Sequence, residues 1–115
     1  MAQTQLLKGV LEGCVLAILA RQESYGYELM QALHDYGFTS VVGGTLYPLL
    51  AKLEKQGDLV GRLIPSADGP ARRYFHLTPQ GQGTLREFEQ QWAQLGSQVA
   101  AVLAPQEGQD DGAND

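Results

Sequence analysis

Apolar positions recur at helical spacing through most of this chain, most clearly from Gly43 to Gly57, GGTLYPLLAKLEKQG. Leu46, Leu49, Leu50 and Leu53 share one face, which should turn into a core. Thr45, Lys52 and Lys55 take the opposite face, with Tyr47 beside them near the start. A short polar front and a cationic back suit a helix laid along a polyanion, its N-terminal side chains towards base edges. An amphipathic core helix with two solvated lysines has the same pattern. Pro48 requires the helix to begin near Gly43 to Thr45, since deeper inside it would cost about 3 kcal/mol. Thr45 is the only good cap there.

Residues 5 to 22 read as a first helix. Leu7, Leu11, Cys14 and Ile18 form its stripe, and Val10, Val15 and Leu19 widen it beyond what one small core requires. Part of that arc is therefore free to meet a second chain. Gly9 and Gly13 either are merely tolerated or let another helix approach closely. Ser24 is the expected N-cap of a second helix, Tyr25 to Tyr36, with Gly37 as its stop and Leu29, Met30 and Leu33 inside. A helix, the short linker FTSVVGG and an apolar-backed helix make a helix-turn-helix.

After Gly57 the period changes. Leu59 to Ile64 is β-prone, PSADGP is dense turn chemistry, and Arg73 to Leu77 alternates. The expected hairpin has its loop at Pro65 to Ala71, Phe75 and Leu77 facing inward, and Tyr74 and His76 outward. Arg72 and Arg73 then stand at the tip of a projecting wing. Thr78-Pro79 opens the last helix, with Thr as N-cap and Pro at N1. Its apolar residues Leu85, Phe88, Trp92, Leu95, Val99 and Val102 alternate gaps of three and four, a heptad seam broken only by Gly96. Such a seam argues for homodimerisation, with the first helix as a further packing partner.

The fold class is thus mainly α with a small β-hairpin, a winged helix-turn-helix plus a C-terminal dimerisation helix. Residues 1–78 form the winged helix-turn-helix, 79–104 the dimerisation helix and 105–115 a disordered acidic tail. The formal net charge of −5 changes meaning once it is placed. Glu107, Asp110, Asp111 and Asp115 lie in that tail, leaving the rest nearly neutral. From Gly43 to Thr78, Lys52, Lys55, Arg62, Arg72 and Arg73 outnumber Glu54, Asp58 and Asp68. This weak basic patch is compatible with DNA. No apolar run is long enough to span a bilayer and no signal pattern opens the chain, so a cytoplasmic location is expected.

Enzyme chemistry finds little support. His34 and His76 lack metal-ligand spacing, and Glu87 and Glu89 fall on different faces of a helix. The glycine pairs at 43–44 and 81–83 are too short for a phosphate cradle. Cys14 is the only cysteine. It excludes an intramolecular disulfide and, lying in an apolar stretch, reads as a buried structural residue. No cofactor or metal is expected.

Three blocks then carry a resemblance. SYGYEL (Ser24 to Leu29), GTLYPLLAKLEKQG (Gly44 to Gly57) and GPARRYFHLTPQG (Gly69 to Gly81) resemble, in order and spacing, the PadR family of bacterial transcriptional regulators. The likeness runs over residues 5 to 103, and the chain's brevity is similar to the short subfamily, whose single C-terminal helix serves dimerisation. The resemblance implies a homodimeric repressor on an inverted repeat in a promoter; two winged units joined at a C-terminal seam would face half-sites about 34 Å apart. It also implies that Tyr27, Thr45, Tyr47, Lys52, Arg72 and Arg73 meet double-stranded DNA or support that surface. Two departures stand out. Val42 and Gly43 replace the usual serine followed by proline or an acid, which weakens the helix cap, and Ala71 takes a wing position that is often basic.

Leu7, Leu11, Phe88, Trp92, Leu95 and Val99 are the expected dimer and ligand interface. Trp92 matches the tryptophan with which short multidrug-binding members stack flat aromatic ligands between subunits. Paired indoles across a twofold axis can sandwich a planar molecule, although a seam tryptophan also serves plain packing. The rival from another class is a winged-helix module that holds a protein partner and never touches DNA, favoured by the low net charge and the weak cap.

Overall fold

The computed structural model describes residues 2–106, and for residues 2–6 and 8 the backbone alone. The acidic tail from Glu107 onward lies outside the described residues. The order is α1 (Ala2–Arg21), β1 (Ser24–Tyr25), α2 (Gly26–Asp35), α3 (Gly43–Gln56), β2 (Leu59–Ser66), β3 (Gly69–Leu77) and α4 (Pro79–Leu103). This is the mainly helical winged helix-turn-helix with a long terminal helix that the patterning predicts.

The core gathers Leu11, Val15, Leu16 and Leu19 from α1, Leu29 and Leu33 from α2, and Leu46, Leu50 and Leu53 from α3. Val41, Leu59 and Phe75 close it. In α1 the buried line therefore runs through Leu11, Val15 and Leu19. Of the stripe expected from the sequence, Leu7, Cys14 and Ile18 are only half-buried at its edge. Burial pushes the Cys14 thiol above its usual range.

The second helix departs from expectation at its start. Ser24 does not cap it. The serine is buried in β1, and its hydroxyl donates to Gln22 O at 3.1 Å. Tyr25 is the cap residue, its N–H received by Glu28 Oε1 at 3.3 Å. The reason is pairing: Ser24 and Tyr25 run antiparallel to Phe75 and Tyr74, giving the sheet order β1-β3-β2. Two residues are too few to show alternation.

Gly37, at φ 103°, ends the turn after α2, a backbone conformation that a side chain would strain. His34 Nε2 lies 2.7 Å from Val41 O and ties the linker back to α2. α3 then starts at Gly43 with no side-chain cap. Val42 O receives the N–H groups of Thr45 and Leu46 at 2.9 and 3.0 Å, so Thr45 lies inside the helix and is not its cap. The helix begins within the expected Gly43 to Thr45, yet this puts Pro48 in its second turn, inside the helix; the missing N–H withholds the usual donor from the carbonyl of Gly44, an exposed residue.

The hairpin is longer than expected and its turn shorter. β2 and β3 pair from Leu59↔Leu77 out to Ser66↔Gly69, leaving Ala67 and Asp68 as the turn in place of a Pro65 to Ala71 loop. The register shifts between Ile64 and Ser66, where Pro65 stands against Pro70 and Ala71. A bulge is where a strand can hold prolines. Arg72 and Arg73 therefore pair with Ile64 and Leu63 along the strand and do not stand at the tip. Phe75 is buried, while Leu77, Tyr74 and His76 are all half-buried.

Thr78 caps α4 as expected, its hydroxyl accepting from the Gly81 N–H at 3.0 Å. Early in the helix the Phe88 ring fills the space where a Cβ on Gly13 would sit, which gives that glycine a packing role against α1. Beyond this contact α4 runs out from the body, and the chain measures 71 × 28 × 20 Å.

Candidate nucleic-acid interface

The outer surface of α3 follows from what it buries. With Leu46, Leu50 and Leu53 inward, the stripe directly opposite is Gly44, Pro48, Ala51 and Lys55, all exposed. Thr45 and Lys52 lie on one flank of that stripe, and Tyr47 and Glu54 on the other. A front of small residues lets a helix backbone approach a duplex closely, with Lys55 as its outward cation. Lys55 is the residue that sequence reasoning undervalued, and its position follows from counting 100° per residue from the leucines.

The flanks are engaged. Lys52 Nζ meets Glu12 Oε2 of α1 at 2.6 Å. On the other side Arg73 donates to Glu54 Oε2 at 2.6 Å, and the same oxygen receives the Gly61 N–H at 3.2 Å, so Glu54 ties both wing strands to α3. At the hairpin base Glu23 Oε2 holds Arg62 at 3.1 Å, with His76 Nδ1 3.9 Å away. Exposed pairs of this kind contribute at most about 1 kcal/mol each and exchange readily for a phosphate.

Tyrosines join α2 to the wing. The Arg72 guanidinium stacks 4.7 Å above the Tyr25 ring, which meets Tyr74 edge-on at 5.2 Å and Tyr27 at 6.5 Å. Tyr27 is 57 % exposed. Tyr47 lies in a slot made by two glycines: a Cβ on Gly26 would overlap its ring, and one on Gly43 would come within 3.1 Å. Half of Tyr47 thus acts as a spacer between the starts of α2 and α3, and half faces solvent. At the wing turn, the Ser66 hydroxyl, the backbone of Asp68 and the charge of Arg72 hold the Asp68 carboxyl below its usual range.

The structure thus links Arg73 to the Glu54 flank of α3, where Tyr47 also lies, and joins Arg72 to Tyr27 through Tyr25, whereas Thr45 and Lys52 lie on the opposite flank, with Lys52 turned to α1. The interface set divides differently. Leu11 is 3 % exposed and belongs to the core of its own chain, and Leu7 is half-buried. On α4, Phe88 is half-buried, whereas Trp92, Leu95 and Val99 are 53 %, 53 % and 45 % exposed. The Phe88 and Trp92 rings stack 6.5 Å apart at 12°.

Among the described residues, no group of three or more His, Cys, Asp or Glu could hold a metal ion, and no helix is long and apolar enough to cross a membrane.

Known proteins place this geometry. Residues 15–87 match the transcriptional regulator PadR-like family. A crystal structure of a Streptococcus transcriptional regulator is 50 % identical, with TM-score 0.79, over 87 % of this chain and 98 % of that one. A PadR-like transcriptional regulator from Bacillus cereus is 44 % identical, with TM-score 0.81, over 89 % and 99 %. A Mycobacterium tuberculosis transcriptional regulator is 38 % identical over 87 residues, 74 % of this chain and 78 % of its own.

Proposed function

Because the chain belongs to the PadR-like family of transcriptional regulators, we propose that two copies pair along α4 and repress transcription from an inverted-repeat DNA site. The observation that carries this reading is the exposed front of α3, narrow and ending in Lys55, beside a hairpin bearing Arg72 and Arg73. In it, α3 enters the major groove, Thr45 and Tyr47 reach bases or nearby phosphates, and Lys52, Lys55, Arg72 and Arg73 hold the backbone. Tyr27 supports the same surface from α2. Residues 1–78 carry the DNA contacts and 79–104 the pairing.

Pairing draws support from α4 itself. Trp92, Leu95, Val99 and Val102 form an apolar line in water, and an isolated helix end of that length is marginal without a partner. In the paired state the two Trp92 indoles face each other. A planar aromatic molecule between them would change the angle of the two bodies and release the DNA. Titration with planar cationic dyes, followed by Trp92 fluorescence, tests this: saturable quenching is expected, and none would remove the ligand.

The second reading, a protein-binding module without DNA contact, draws on the ion pairs that Lys52 and Arg73 already make. Gel shifts against the region upstream of the chain's own gene, across a salt series, separate the two. Specific retardation that weakens steeply with salt is expected. Equal, weak binding to every duplex would favour the module.

A further inference from the structure

The two working helices of this fold, one facing DNA and one facing a partner, are joined by a cluster built on Asp58. α3 ends at Gly57, whose φ of 94° turns the chain sharply. The next residue, Asp58, is 4 % exposed. Its Oδ1 accepts from Gln80 Nε2 at 3.0 Å and from Thr84 Oγ1 at 2.8 Å, both in the first turns of α4. Its backbone carbonyl accepts the Thr78 N–H at 3.1 Å. Thr78 Oγ1 donates to Gly57 O at 2.6 Å, and Gln80 Nε2 also reaches Gln56 O at 2.7 Å. Gly81 is buried there, and a Cβ on it would overlap Asp58 O.

The open carbonyls at the end of α3 are thus met by side chains from the start of α4. The Asp58 carboxylate sits at the N-terminal, electropositive end of α4. A buried carboxylate is costly unless such donors surround it, so the arrangement holds one geometry firmly. The other anchor of α4 is the Phe88 ring against Gly13 of α1. One anchor alone would leave a pivot, and the two together fix an angle.

We propose that Asp58 is a positioning residue that sets the angle between α3 and α4 and so determines which half-site spacing a pair of chains accepts. This rests on the reading of the chain as a DNA-binding dimer. Adding one base pair between half-sites shifts the second by about 3.4 Å and about a tenth of a turn. A rigid junction cannot follow that shift, whereas a loosened one can.

The test starts from a duplex library with randomised positions, from which wild-type protein selects its preferred site. The spacer of that site is then lengthened and shortened by single base pairs. Wild type is expected to prefer its own spacing by about tenfold, the scale of one mismatched base pair. Asp58→Ala is expected to lower that preference to less than about threefold while leaving an isolated half-site and the dimer dissociation constant unchanged. Asp58→Asn keeps an oxygen acceptor for Gln80 and Thr84 and is expected to retain the preference. If Asp58→Ala melts early, Gln80→Ala at an exposed position removes the bonds to Asp58 and Gln56 O and should flatten the profile in part. A full wild-type preference in Asp58→Ala, or in Gln80→Ala where the first does not fold, overturns the proposal. Equal flattening by Asn and Ala also overturns it. A wild-type protein that selects no site at all sinks the DNA-binding reading instead.

Discussion

Leu50 in α3 and Leu95 in α4 occupy equally regular apolar positions, yet the first is 1 % exposed and the second 53 %. In the winged-helix body each apolar stripe finds its complement within the chain: α1, α2, α3 and the sheet close on one another around Leu29, Leu33, Leu46, Leu50 and Leu53. In the outer part of α4 the stripe is as clean and stays exposed, from Trp92 through Val102. The difference teaches that periodicity says a face will be buried without saying whose residues bury it. Under the proposed pairing it also divides the molecule into a part that holds together within one chain and a part whose stability would depend on concentration.

The largest expected effect tests that division directly. Leu50→Ala should destabilise the fold by about 2–5 kcal/mol, the usual range for a leucine truncated in a tight core. Urea unfolding should show this loss at every protein concentration. Leu95→Ala should leave the unfolding midpoint of dilute protein nearly unchanged and instead raise the dimer dissociation constant by about tenfold. Sedimentation equilibrium measures that shift. If Leu95→Ala lowered stability equally at high dilution, the exposed seam would belong to the fold of one chain and the contrast would collapse.

Next comes the boundary between the two parts, where Phe88 lies over Gly13. Gly13→Ala should cost about 1–3 kcal/mol, because the ring must move off α1 to admit a methyl group. Pairing this change with Phe88→Leu gives a double-mutant cycle. Strong non-additivity is expected in thermal melts, and additive losses would mean that the ring does not bear on α1.

On the DNA side the effect is smaller and electrostatic. Arg73→Ala should flatten the dependence of log K on log salt by about one unit, leaving dimerisation intact. Leu95→Ala should do the reverse, weakening pairing while each half-site keeps its salt slope. An unchanged slope in Arg73→Ala would leave that arginine as the partner of Glu54 alone.

Much of this was legible in the residues. Three helices, a hairpin and a capped fourth helix follow from period, turn chemistry and the Thr78-Pro79 pair, because each signal lies within a few residues of what it specifies. What escaped was decided at a distance. Ser24 reads as a helix cap locally and is drawn into a strand by Phe75, far along the chain. The hairpin loop reads as Pro65 to Ala71 because proline and glycine crowd it, while the strands outcompete that chemistry by absorbing Pro65 and Pro70 in a bulge. For Lys52 and Arg73 the sequence gives charge but not their partners, Glu12 and Glu54. Asp58 carries no periodic or motif signal, and only the return of α4 shows what it holds.

The smallest expected effect concerns Gly96, the glycine beside the seam of α4. Among the described residues of one chain a Cβ there would meet nothing within 4 Å. Taken alone, Gly96→Ala should therefore stabilise α4 by about 1 kcal/mol or less, through the lower backbone entropy cost of alanine in a helix. In a paired state the sign depends on how close the second helix comes. Gly96 follows Leu95 and so flanks the line of Trp92, Leu95 and Val99 without lying on it. At a flanking position a methyl group fits beside a partner whose knobs enter at the seam itself. The expected result is a higher melting temperature with an unchanged dimer dissociation constant. A weakened dimer would show instead that the two helices approach most closely over the glycine. The contact line would then be rotated from the leucine and valine seam towards the flank, and the two Trp92 side chains would no longer face each other.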